Sequence, residues 1–134
     1  MLKIYLDNCC YCRPFDDLTL DKTQREAAAV QKIAALAKNG KITLVSSQFV
    51  KYEMEQIQLE QKRNNVLGFY HCDEYYVLTR KIEKLAKYYQ TFGLKTFDNL
   101  HLAVSETNGV NYLLTTDIDF VKFSARFTHY VKVI

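Results

Sequence analysis

The stretch Ile42-Thr43-Leu44-Val45-Ser46-Ser47-Gln48-Phe49-Val50 decides the fold. Ile42-Thr43-Leu44-Val45 is a short apolar, β-branched run of strand character. Two serines follow it directly, as residues that cap a helix, and Phe49, Val50, Met54 and Ile57 then recur at helical spacing. A strand passing through a cap into a helix is one βα step. The same step recurs along the chain. Ile4-Tyr5-Leu6 forms a buried strand that stops at Asp7, and Arg13-Pro14-Phe15-Asp16-Asp17 is a turn and link. A helix over 22–39 then carries Ala27, Val30, Ala34 and Ala37 on one stripe, widened by Ile33 and Leu36 and stopped by Gly40. Residues 66–72 have no clear period. Tyr75-Tyr76-Val77-Leu78 is β-rich, Thr79 caps a helix reaching Tyr89 or Phe92 and ended by Gly93, and Thr96 caps another running to Asn108-Gly109 with Leu100, Ala103 and Val104 inward. Residues 111–115 form a strand ending at Thr116-Asp117, and residues 130–134 supply the last one. Strands alternating with helices of this length predict a three-layer α/β/α sandwich around a mostly parallel sheet.

Composition fits a single domain spanning residues 1–134. The chain has 134 residues, 49% of them hydrophobic, with four Gly and one Pro. At that length roughly two-thirds of the unfolded surface is buried on folding, which makes an ordinary core without staples. Disordered, collagen-like and disulfide-built scaffolds are excluded by the apolar content, the few Gly and Pro, and the clustering of the four Cys. The formal charge of +3, from 18 basic and 15 acidic residues, names no partner by itself. The apolar run at the N-terminus is short for a signal peptide, and no stretch reaches membrane-spanning length. The expectation is a cytoplasmic protein with no membrane association and reduced Cys9, Cys10, Cys12 and Cys72.

In open parallel sheets ligands bind beyond the carboxyl ends of the strands. Asp7 ends the first strand, Asp117 ends the strand 111–115, Asp98 sits in the first turn of a helix, and Glu53 lies six residues after Ser47. These four acids can converge on one edge. Four carboxylates at close quarters raise one another's pKa unless a cation is present, and Mg²⁺ or Mn²⁺ suits a shell of carboxylates and water. Such a site fits metal-assisted phosphodiester hydrolysis. Taken singly each acid is less specific, since an Asp in a first helical turn is favoured there by the helix dipole alone.

Four segments together resemble PIN-domain ribonucleases: Ile4-Tyr5-Leu6-Asp7-Asn8-Cys9-Cys10, residues 45–53 with Tyr52-Glu53, Gly93-Leu94-Lys95-Thr96-Phe97-Asp98-Asn99-Leu100-His101-Leu102-Ala103, and Leu114-Thr115-Thr116-Asp117-Ile118-Asp119-Phe120. The resemblance covers nearly the whole chain. It implies four or five strands in the order 3-2-1-4-5 and the quartet Asp7, Glu53, Asp98 and Asp117 as catalytic metal ligands for Mg²⁺ or Mn²⁺. Asp119 is implied as a further, accessory ligand. The activity implied is cleavage of single-stranded RNA to leave a 5′-phosphate. Thr115 or Thr116 is expected to hydrogen-bond an oxygen of Asp7 or Asp117 and so orient a ligand. Arg13, Lys51, Lys122 and Thr116, close in sequence to the ligands, are the candidates for substrate contact. Compact members of the family include virulence-associated protein C toxins, which act as homodimers restrained by a small antitoxin protein. The run from Asn8 to Asp17 departs from their commoner beginning, where Ser or Thr follows the first Asp by one or two positions.

Other features were weighed against blander readings. Cys9-Cys10-Tyr11-Cys12 with His71-Cys72 lacks the two clean ligand pairs of a structural zinc site, and buried small hydrophobes are the better reading. His101, one turn after Asp98, is assigned to the core or an interface. Arg80, Lys81, Lys84, Lys87 and Lys95 stand against Glu83 alone, a run that is usually a solvated helix face; as an RNA surface it would use Tyr88, Tyr89 and Phe92 for stacking. The alternatives to a nuclease are a non-catalytic module of the same fold that binds RNA or protein, and another α/β enzyme. A dehalogenase-like phosphatase needs Asp-x-Asp after the first strand, where this chain has Asp7-Asn8-Cys9, and the late Lys of a receiver domain has no evident counterpart.

Overall fold

A computed structural model describes residues 1–126 and 129–134. Five strands form one parallel sheet: β1 (Lys3–Leu6), β2 (Thr43–Ser47), β3 (Glu74–Tyr76), β4 (Tyr112–Leu114) and β5 (Lys132–Val133), in the order β3-β2-β1-β4-β5. This is the order that the PIN resemblance implies. Ile4, Tyr5 and Leu6 are all buried, so the pleat of β1 is covered on both faces and the α/β/α sandwich follows. With Leu44, Val45 and Leu113 from the neighbouring strands they form the centre of one apolar cluster.

Seven helices connect the strands. They are α1 (Asn8–Cys12), α2 (Asp21–Lys38), α3 (Gln48–Glu55), α4 (Glu60–Phe69), α5 (Arg80–Gln90), α6 (Thr96–Thr107) and α7 (Ile118–Ser124). The stripe Ala27, Val30, Ala34 and Ala37 is the buried face of α2, as its spacing requires. Gly40, at φ +70°, ends that helix: its N–H donates to Ala37 O at 3.0 Å and the Lys41 N–H to Leu36 O at 2.9 Å, a Schellman pair that an L side chain at that φ would strain. The Thr79 hydroxyl accepts the Ile82 N–H at 3.2 Å and caps α5, as expected.

Other local readings are corrected. Ser46 and Ser47 end β2, and Ser47 occupies the N-cap position of α3 as expected, but its hydroxyl makes no capping hydrogen bond and lies instead 2.6 Å from the Tyr5 hydroxyl. Thr96 is the first residue of α6 with Lys95 at the cap, so Asp98 still falls in the first turn. Residues 8–12, given no element by the sequence, form α1, because the Asp7 carboxylate accepts the Asn8 N–H and Cys10, Tyr11 and Cys12 pack inward. The unclear stretch at 66–72 contains the end of α4, where Val66 is the one buried helical residue and therefore leaves no period to detect. That helix is held by rings: Phe69 meets Tyr11 and Phe15 edge-on, with centroids 6.3 and 5.8 Å away. Among the described residues no helix is long and apolar enough to cross a membrane.

Leu44 is wholly buried between β1 and β3. Leu44→Ala should therefore lower unfolding free energy by about 2–5 kcal/mol in urea titrations, with an unchanged slope.

Candidate metal centre

The carboxyl ends of β1 and β4 lie side by side, with Leu6 opposite Leu114, and the acids are built on that edge. Asp7 continues β1, its N–H donating to Leu114 O at 3.0 Å, and it is 6% exposed. Its Oδ1 accepts the Asn8 N–H at 2.7 Å, and its Oδ2 accepts the Thr115 hydroxyl at 2.9 Å. Thr115 Oγ1 in turn accepts the Asp117 N–H at 3.1 Å. One hydroxyl thus ties two of the acids together. Of the two expected threonine contacts, the structure has Thr115 on Asp7. Asp117 caps α7, its Oδ1 accepting the N–H groups of Asp119 and Phe120. Asp117 is thus a helix cap, whereas Asp98 lies within the first turn of its helix.

Glu53 projects from α3 and its Oε1 lies 2.6 Å from His101 Nε2. The same nitrogen is 3.5 Å from Asp7 Oδ1, and the other ring nitrogen is 2.6 Å from the Tyr5 hydroxyl. His101 has no exposed side-chain surface, so its assignment to the core holds. It also faces the acids, which its place one turn beyond Asp98 could have signalled. Burial disfavours the imidazolium, but the Glu53 hydrogen bond and the charges of Asp7, Glu53 and Asp98 outweigh it and raise the pKa above the ordinary imidazole value. Asp98, half-buried in α6, has its carboxyl pushed up to about 6, first by burial and then by Asp7, against the pull of His101 and with further pushes from Asp117 and Glu53. Asp98 thus feels the charges of the other three acids of the sequence quartet.

Ligand atoms of Asp7, Glu53 and His101 lie within 4.8 Å of one another, a spacing compatible with a shared cation. The donors are two hard carboxylate oxygens and one imidazole nitrogen. Burial and the neighbouring carboxylates both hold the Asp98 proton on, and a divalent cation would relieve the second of these.

The remaining candidates are dispersed. Asp119 is exposed in the first turn of α7, and Lys51 and Lys122 are exposed on α3 and α7. Arg13 is engaged: it donates to Glu26 at 3.0 Å, Asp16 at 2.8 Å and the Thr116 hydroxyl at 2.8 Å. Lys62 reaches the other Asp16 oxygen at 2.6 Å, so this cluster braces the end of α1 against α2 and α4. Cys10 and Cys12 are buried in the core, whereas Cys9 Sγ accepts the Thr116 N–H at 3.4 Å. Arg80, Lys81, Lys84, Lys87 and Lys95 are exposed, as is Tyr88, but Tyr89 is 2% exposed and belongs to the core rather than to a stacking surface.

The raised Asp98 pKa fixes the sign of a pH effect. The folded state holds this proton up to about pH 6, whereas an ordinary Asp loses it near 3.8. The stability that goes with the protonated form is complete below pH 4 and is lost as pH rises to 6. Asp98→Asn should therefore raise the Tm of metal-free protein at pH 7.5, by an amount worth no more than about 2 kcal/mol given its partial exposure. The difference should vanish near pH 4 in thermal melts.

No protein-family model and no curated protein sequence matches the chain. Solved structures do resemble it. VapBC2 from Rickettsia felis, crystallised bound to a DNA fragment from its promoter, contains a chain matched with a TM-score of 0.66 at 16% identity, covering 99% of this chain and 98% of that one. FitAcB from Neisseria gonorrhoeae contains another, with a TM-score of 0.65 at 13% identity, covering 98% and 96%. At these identities the likeness is one of fold, and it extends over essentially the whole chain.

Proposed function

We propose that this chain, as one domain, is a metal-dependent endoribonuclease that hydrolyses phosphodiester bonds of single-stranded RNA. The observation that carries this reading is the clustering of ligand atoms of Asp7, Glu53 and His101 within 4.8 Å of one another at the carboxyl edge of the sheet, with the Asp98 carboxyl pushed up by burial and by the charges of Asp7, Asp117 and Glu53. The four acids would hold Mg²⁺ or Mn²⁺, with Asp119 as an accessory group. The ion, when bound, lowers the pKa of a water and offsets charge on the phosphate.

The chain's own residues do the positioning. Thr115 donates to Asp7 Oδ2 and leaves Oδ1 turned to His101 and the Asn8 N–H. His101 holds Glu53 by its Nε2. Lys51 and Lys122, exposed on α3 and α7, are the cations proposed for substrate phosphates. Arg13 acts differently from a free phosphate ligand: its guanidinium is committed to Asp16 and Glu26, and it contributes by holding Thr116 beside Asp117. With the four ligands set aside, 11 of the 15 acids face 18 basic residues, a balance of the sign an RNA substrate requires.

The role that suits this activity is the toxin of a type II toxin–antitoxin pair, acting in the cytoplasm as a homodimer held in check by a small antitoxin protein. Support comes from the shared fold with chains of the VapBC2 and FitAcB assemblies.

Purified protein should cleave single-stranded RNA with Mg²⁺ or Mn²⁺, and EDTA or Asp7→Asn should abolish cleavage in a gel assay. Full cleavage by both Asp7→Asn and Asp117→Asn would overturn the ligand assignment. Thr115→Val, which frees the Asp7 carboxylate, should weaken metal affinity or activity by about 10–100-fold. Expression of the wild type, but not of Asp7→Asn, should arrest growth, and co-expression of a small neighbouring gene should relieve it.

A further inference from the structure

Beside the acids, three aromatic rings lead outward from the core. The His101 imidazole, bonded to Glu53, is followed by Phe97 with centroids 6.5 Å apart, and Phe97 by Tyr52 at 5.7 Å with the planes only 16° apart. Tyr52 adjoins Glu53 on α3, and Phe97 adjoins Asp98 on α6. The stack therefore rises directly from two of the proposed ligands. Tyr52 ends it with 52% of its surface exposed. Phe97 fixes the plane of the Tyr52 ring, so its open side is a flat surface held in one orientation.

The surface continues into a hollow of about 270 Å³ lined by Gln48, Phe49, Tyr52, Phe97 and Leu100. Gln48 is one turn before Tyr52 and on the same helical face. Its Oε1 accepts the Leu78 N–H at 2.7 Å, which orients the amide and leaves its Nε2 as the donor end. A rigid ring beside hydrogen-bond donors, with no carboxylate or cation lining the hollow, suits a flat, uncharged heterocycle with acceptor atoms on its edge.

We propose that Tyr52 is a stacking platform for the nucleobase next to the scissile phosphate in a single-stranded RNA. This rests on the ribonuclease reading above. Centroid steps of 5.7 and 6.5 Å, through Phe97, join this ring to His101 and so to the acids where the phosphate would sit. Every base has a π-face, so the platform gives affinity and register rather than a strict sequence, and Gln48 adds a preference for an acceptor edge. The same rings also pack α3 against α6, and the test separates that structural role from base binding.

The experiment uses the full chain and an RNA oligonucleotide cleaved at one position, together with copies carrying an abasic ribose on either side of the cut. Tyr52→Leu, which keeps apolar packing on Phe97 but loses the flat ring, should raise KM by about tenfold or more with a much smaller change in kcat, and Tyr52→Phe should restore it. An abasic ribose at one flanking position should raise KM for the wild type but not for Tyr52→Leu. An unchanged KM for Tyr52→Leu, or an equal abasic penalty in both proteins, would overturn the proposal. Binding is followed separately with 2-aminopurine at the flanking position. Its fluorescence should be quenched by Asp7→Asn protein and not by the Asp7→Asn, Tyr52→Leu double variant. Quenching without any wild-type cleavage would sink the ribonuclease reading and keep the platform, whereas cleavage without quenching would do the reverse.

Discussion

The Tyr5 hydroxyl is a polar group in the centre of the sheet, and much of the site follows from how it is satisfied. β1 lies between β2 and β4, so the tyrosine ring is wholly buried and its hydroxyl has no route to bulk water. An unpaired hydroxyl there would cost on the order of 1–3 kcal/mol. It meets Ser47 at the end of β2 and His101 in α6, each at 2.6 Å. That contact takes one face of the imidazole and turns the other nitrogen to Glu53 and Asp7. A core tyrosine thus aims a histidine at the acids, and through it couples strands β1 and β2 to helices α3 and α6.

The second constraint is electrostatic. Glu53, Asp98 and Asp117 come from helices or strand ends that converge only because parallel strands deliver their carboxyl ends to one edge. The protein manages the repulsion with local bonds: the Asn8 N–H and Thr115 on Asp7, His101 on Glu53, and helix N–H groups on Asp117. Asp98 has the least help and carries the raised pKa. The imidazole, itself drawn toward its charged form, supplies part of the compensation that a metal would complete.

Much of this was legible in the residues. The strand–helix alternation, the stripe on α2, the Thr79 cap and the four acids are local patterns, set by side-chain periodicity and by the placement of acids at strand ends. The failures have physical reasons as well. Ser47 has the composition of a helix cap, yet its hydroxyl is drawn to Tyr5, a partner 42 positions away. α4 buries only Val66, so its period is silent. Arg13 sits near the acids in sequence, but nothing local announces that it bonds Glu26 and Asp16.

The sequence by itself determined the class of fold and which carboxylates stand at strand ends, because both depend on short-range periodicity and on where an apolar run stops. Only the tertiary structure decided that a histidine buried as a core residue also touches two acids, and that Phe97 and Tyr52 stack outward from it. It decided as well that Arg13 bonds Glu26, Asp16 and Thr116. Each of these depends on contacts between distant segments, in which burial makes every polar group find a partner. No spacing along the chain specifies which partner that will be.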